Sequence, residues 1–104
     1  MRADEGTHTR SERRVNSRVP VALEWNESGQ TLRIEGRTTD ISPSGCFVIA
    51  AQRAVVGQKI RLTNLVNTQE CEAQIVRQGQ QTPAGWELGI RLQSPSLEFW
   101  GFDF

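Results

Sequence analysis

Arg14-Val15-Asn16-Ser17-Arg18 sets two guanidinium groups at an RxxxR spacing, with Arg13 directly ahead of the first. Asp40-Ile41-Ser42-Pro43-Ser44-Gly45 supplies a carboxylate, two hydroxyls and a glycine in a DxSxxG. Planar guanidinium forks suit phosphate oxygens and the O6/N7 edge of guanine. A carboxylate suits the donor edge of the same base, N1–H and N2–H2. Together these residues would cradle an anion that carries a guanine. They make a poor catalytic set, because Ser42 and Ser44 have no visible base and no second acid is placed beside Asp40. His8 is the only histidine and lies in a polar stretch, so no metal set is expected.

Each segment also has a plain structural reading. The arginines would serve as a solvated basic approach to a first strand. The DxSxxG would serve as a good turn, with Asp40 capping it, Pro43 fixing φ, and Gly45 taking a backbone conformation that other residues resist.

The elements around the two segments bring them together. Val19, Val21, Leu23 and Trp25 alternate with other residues as one face of a strand. Asn26-Glu27-Ser28-Gly29 signals a turn, and Leu32 and Ile34 continue as the second strand of a hairpin. Pro20 is compatible with a strand start or an edge. Cys46 to Ile49 reads as a short buried strand after the DxSxxG. Ala50 to Val56 has no clear pattern, and Gly57 resets the chain. Ile60 and Leu62, with Leu65 and Val66 beyond, give another strand, and Cys71, Ala73 and Ile75 the next. Gln78 to Gly85 reads as a polar loop before the clean alternation of Trp86, Leu88, Ile90 and Leu92. Strand after strand at this spacing predicts an all-β sandwich or barrel. In an antiparallel meander the start of the first strand and the end of the second share one end of the sheet, so the arginines and the turn should face one volume.

With 104 residues the chain supports one compact domain. Its 12 basic and 12 acidic residues balance, which argues against a nucleic-acid binder relying on a broad basic face. All but one of the basic residues are arginine, and Arg2, Arg10, Arg13, Arg14 and Arg18 crowd the N-terminal part. That bias fits bidentate recognition, although a codon-level preference for arginine would give the same count. No apolar run approaches the length of a membrane helix, and the first residues lack the apolar core of a secretory signal, so a cytoplasmic protein without membrane insertion is expected. Cys46 and Cys71 are expected to be reduced core residues, with an oxidised pair open only if their strands are neighbours.

The tail from Ser94 to Phe104 breaks the β pattern. Ser94 and Pro95 resemble a helix start, and a short helix with Leu97 and Trp100 turned inward is expected there. Its aromatic residues, Phe99, Trp100, Phe102 and Phe104, suit either a lid on the core or a patch for a partner.

The RxxxR at Arg14 and Arg18, the DxSxxG at Asp40, Ser42 and Gly45, and the late Gly-Ile-Arg-Leu at 89–92 resemble the PilZ domain, a bacterial receptor for cyclic di-GMP. Gly57 before Lys-Ile-Arg-Leu fits as well, and the resemblance covers about residues 10–93. It implies a small six-stranded antiparallel β-barrel with a flexible N-terminal arm. The expected division is a flexible lead-in over 1–9, the barrel domain over 10–93 with its arginine arm at 10–18, and an aromatic tail over 94–104. By the same resemblance Arg14 and Arg18 would contact phosphate and guanine, Asp40 and Ser42 would hold a guanine edge and nearby phosphate oxygens, and Gly45 would let the backbone approach closely. Arg13 stands where the family decides between one ligand and an intercalated pair, and an arginine leans toward the pair. The implied function is a cyclic di-GMP receptor, not an enzyme, that orders its arm on binding and signals to a protein partner as a monomer or weak dimer, with no DNA or RNA partner and no cofactor besides the ligand. The alternative is a PilZ-like interaction module that binds no nucleotide.

Overall fold

A computed structural model describes residues 13–101. The expected flexible lead-in over 1–9 and the first part of the arm, 10–12, lie outside the described residues, as do 102–104. Seven strands succeed one another: β1 (Val15–Asn16), β2 (Pro20–Glu27), β3 (Gln30–Ser42), β4 (Gly45–Ala50), β5 (Lys59–Asn64), β6 (Glu70–Thr82) and β7 (Gly85–Leu92). Strands β2 to β7 pair antiparallel in the order β3-β2-β5-β6-β7-β4, and β4 returns to pair with β3. The result is a closed six-stranded barrel, which leaves the sheet no end, with β1 added to the outer part of β3.

The barrel forms because the inward positions are apolar and β-branched where strands need them. Val21, Leu23, Ile34, Ile41, Val48, Ile60, Leu62, Ile75, Leu88, Ile90 and Leu92 fill the interior. The β2–β3 hairpin turns at Ser28 and Gly29, both with positive φ (53° and 80°), the geometry that matches strand twist in a two-residue loop. Pro20 occupies the first position of β2, where its missing N–H costs no ladder bond.

Three expectations are corrected. Gln78 to Thr82 is strand, not loop: β6 continues opposite β7 through Gln78↔Leu88, Gln81↔Trp86 and Thr82↔Gly85. Its side chains are polar because this part of the hairpin adds little to the core, and the backbone pairing alone specifies it. Leu65 and Val66 lie beyond the end of β5, and Val66 is exposed. The C-terminal segment forms no helix among the described residues. Ser96 Oγ accepts from the Phe99 N–H, and Leu97 C=O from Trp100 and Gly101, which makes one turn ended by Gly101 at φ 81°. The inward residues are Phe99 and Trp100, packed edge to face at 4.7 Å, whereas Leu97 is exposed.

Candidate functional site

Two of the barrel's three register shifts decide which side chains turn outward beside the motif. Ile34 and Ile41 are both buried on β3, yet an odd spacing puts them on opposite faces of a regular strand. The register of β3 against β4 shifts between Thr38, opposite Val48, and Asp40, opposite Phe47. The extra residue reverses the alternation, so Thr38 and Ile41 both point inward and Asp40 points out. On β6 a second shift separates Ile75, opposite Ile90, from Arg77, opposite Gly89. It turns Arg77 outward by the same reversal.

The registers then define rows on the outer face. Asp40, Phe47, Gly89 and Arg77 stand side by side across β3, β4, β7 and β6. Ser42, Gly45, Arg91 and Gln74 form the next row. All of these but Gln74 line an open cleft of about 380 Å³, and Arg14 joins it from the residue before β1. Arg14 lies over the Phe47 ring at 5.3 Å, a cation–π contact that holds the guanidinium at the cleft wall.

The turn that carries Ser42 to Gly45 is braced from three sides. Leu92 N–H donates to Ser44 C=O (2.8 Å), Ser96 N–H to Pro43 C=O (2.9 Å), and Trp100 Nε1–H to Ser42 C=O (2.8 Å). The tail is tied down in turn, since Asn64 and Asn67 Nδ2 both donate to Phe99 C=O. Gly45 is required for space. Its φ is ordinary, contrary to the expectation of an unusual conformation, but a Cβ would collide with the Ile90 carbonyl oxygen. At Gly89 a Cβ would sit 3.0 Å from Arg77 Cβ and 3.3 Å from the Phe47 ring, so glycine keeps the cleft floor low.

The arm is attached more lightly. β1 pairs only through Val15↔Ile41 and Asn16↔Asp40, and Ser17 N–H donates to Thr39 C=O at 3.2 Å. Thr38, fully buried, fastens the link from Ser17 to Val19: its hydroxyl donates to Ser17 C=O and accepts from Val19 N–H at 2.8 Å.

The arrangement gathers Arg14, Asp40, Ser42 and Gly45 on one cleft. Arg18 lines a different cavity of about 420 Å³ with Glu35, Arg37 and Thr39, and Arg13, exposed, lines neither. Sequence reasoning passed over Phe47, Arg77 and the role of Gly89, and used Arg91 only as part of a pattern. The odd spacing of Ile34 and Ile41 was the available signal for the first bulge.

Charge is distributed unevenly. Away from the cleft, Arg33 is paired with Glu35 (3.0 Å) and Glu24 (3.5 Å), and Arg61 with Glu70 (3.9 Å). The hydrogen bond that Arg33 donates to Glu35 raises the Arg33 pKa further. Asp40, Arg77 and Arg91 have no such ion pair among the described residues. Three guanidinium groups against one carboxylate leave the cleft cationic and suited to a dianion.

A family model for the PilZ domain matches residues 8–99. The chain belongs to the PilZ domain family. PilZ domains are generally cyclic di-GMP-binding modules, and the closed barrel with its DxSxxG turn at the cleft agrees with that membership. No curated protein matches the chain. Among the described residues of this PilZ domain, no helix is long and apolar enough to cross a membrane. Both cysteines are free, Cys46 buried and Cys71 half-buried.

Proposed function

We propose that this PilZ domain binds cyclic di-GMP on the outer face of the barrel and acts as a cytoplasmic, non-catalytic receptor and adaptor. The observation that carries the reading is the convergence of Arg14, Asp40, Ser42 and Gly45 on one cleft whose arginines lack acidic partners among the described residues. Arg14 takes a phosphate while its face stays on Phe47. Asp40 accepts from guanine N1–H and N2–H2, and Ser42 holds a nearby phosphate oxygen. Charge-assisted bonds of this kind are worth roughly 1.5–3 kcal/mol each.

Arg18 reaches the ligand by movement of the arm. It lines a separate cavity, and residues 13–18 hold to the barrel through few bonds. Ligand binding reorders this segment and presents a new surface to a protein partner, with the arm as the two-state element. Arg13, next to Arg14 and solvent-facing, favours a stacked pair of ligands.

Calorimetric titration with cyclic di-GMP, GTP and cyclic di-AMP, on wild type and Arg14→Ala, tests the proposal. Selective binding of cyclic di-GMP that Arg14→Ala loses is expected, at two ligands per chain. No binding by the wild type removes the proposal, and an endpoint near one ligand removes only the stacked pair.

A further inference from the structure

We propose that Arg77 is a further ligand-binding residue, which reads the O6/N7 edge of the guanine whose donor edge Asp40 holds; this rests on the proposed cyclic di-GMP site. The two residues stand at opposite ends of one row, each turned outward by its own β-bulge. Bulges beside a site commonly re-aim a side chain, and here two of them aim opposite charges into one cleft. Three interstrand spacings separate their backbones, about 14 Å. A purine ring, one aspartate and one extended arginine, with a hydrogen bond at each edge, fill a span of that order.

The floor between them is suited to a flat base. Gly89 offers no side chain, and Phe47 carries the flat Arg14 guanidinium over its ring, so a planar group between Asp40 and Arg77 meets open space over Gly89 and a flat cation beside it. Arg77 is exposed, lines the cleft, and makes no ion pair with another described residue, unlike Arg33 and Arg61. The chemistry selects the base. Guanine presents acceptors at both O6 and N7, which a guanidinium fork satisfies together, whereas adenine puts an N6 amino donor where O6 would be. Arg77 therefore adds specificity for guanine at the edge that Asp40 cannot reach.

The test compares wild type, Arg77→Gln and Arg77→Lys in titrations with cyclic di-GMP and with cyclic di-AMP, at a temperature well below the melting point of each. The expected result for Arg77→Gln is about a tenfold loss of cyclic di-GMP affinity with cyclic di-AMP unchanged, so that discrimination narrows. Arg77→Lys is expected to recover less than half of the loss in log affinity, because one ammonium does not span O6 and N7. Equal losses for both nucleotides would show a general charge effect and overturn base reading. Cyclic di-GMP affinity within twofold of wild type in Arg77→Gln would overturn the inference while leaving the proposed function standing. A wild type that binds neither nucleotide removes both. A melting temperature close to wild type is expected for both variants, since the side chain is exposed.

Discussion

The candidate site is built from two parts held by different means. The sheet part, on β3, β4, β7 and β6, is locked by continuous ladders, and its turn accepts three bonds from Leu92, Ser96 and Trp100. The backbone of the arm part, residues 13–18, is tied by two residue pairs, one further backbone bond and the Thr38 hydroxyl, and Arg14 adds its contact with Phe47. The difference separates two tasks. Base recognition needs donors and acceptors fixed in advance, which a closed barrel provides at no cost on binding. Signalling needs an element with a second arrangement of similar free energy, the part proposed for the lightly tied arm.

The largest expected effect breaks the comparison at its charged contacts. Arg14→Ala and Arg18→Ala are each expected to weaken cyclic di-GMP binding at least tenfold, about 1.4 kcal/mol or more, with the barrel still folded. Arg14→Lys should not restore affinity, because lysine neither forks onto phosphate nor lies flat on Phe47. Calorimetry with a parallel thermal melt checks both statements. Should Arg18→Ala bind as wild type while Arg14→Ala does not, the arm does not move to the ligand and the site is the sheet part alone.

Smaller effects separate the two parts by their anchors. Thr38→Val keeps the shape of a fully buried side chain but strips the partner from Val19 N–H and Ser17 C=O, at an expected cost of about 1–3 kcal/mol. Amide exchange should then rise along residues 15–19 more than in β4 and β7. Trp100→Phe keeps a buried aromatic ring against Phe99 and leaves Ser42 C=O without its donor, at a similar cost. Here exchange should rise around residues 42–45 while the arm is unaffected. In the wild type, ligand is expected to slow exchange over residues 13–18 and to change the sheet part little. Unchanged protection of the arm despite tight binding would mean that both parts are preformed.

The barrel was largely legible in the sequence because its inward residues alternate, as in Trp86 to Leu92, and its turns carry glycine or proline, as at Gly29 and Pro43. The motif residues were legible through their chemistry. The hidden features depended on backbone pairing. Gln78 to Thr82 has no apolar face to reveal its strand, and Arg77 and Asp40 face outward only because a bulge intervenes. Arg14 and Arg18 share a motif yet line separate cavities, since the spacing of an RxxxR says nothing of how β1 crosses β3. In the tail the aromatic content signalled burial, but the single turn at Leu97 to Gly101, not a helical period, turns Phe99 and Trp100 inward and leaves Leu97 exposed.

The smallest expected effect concerns the barrel behind the cleft. Burial pushes the Cys46 thiol well above its ordinary range, and burial with the charge of Glu72 pushes Cys71 up to about 11 from 9.0. A raised value in the folded state means that folding favours the protonated thiol. The unfolded chain begins to lose thiol protons near pH 9.0 while the folded chain keeps them. The thiols' contribution to stability is therefore fully present below pH 9 and declines as pH rises toward 11. Melting temperature is expected to stay level in this respect up to about pH 9 and to fall beyond it, and Cys71→Ser is expected to fall less steeply than wild type. Arg14→Ala and wild type should trace the same curve, because the thiols belong to the barrel and the arginine to the arm. A curve that changed with Arg14→Ala would mean that arm and barrel unfold as one unit, and the separation of the two parts would not hold.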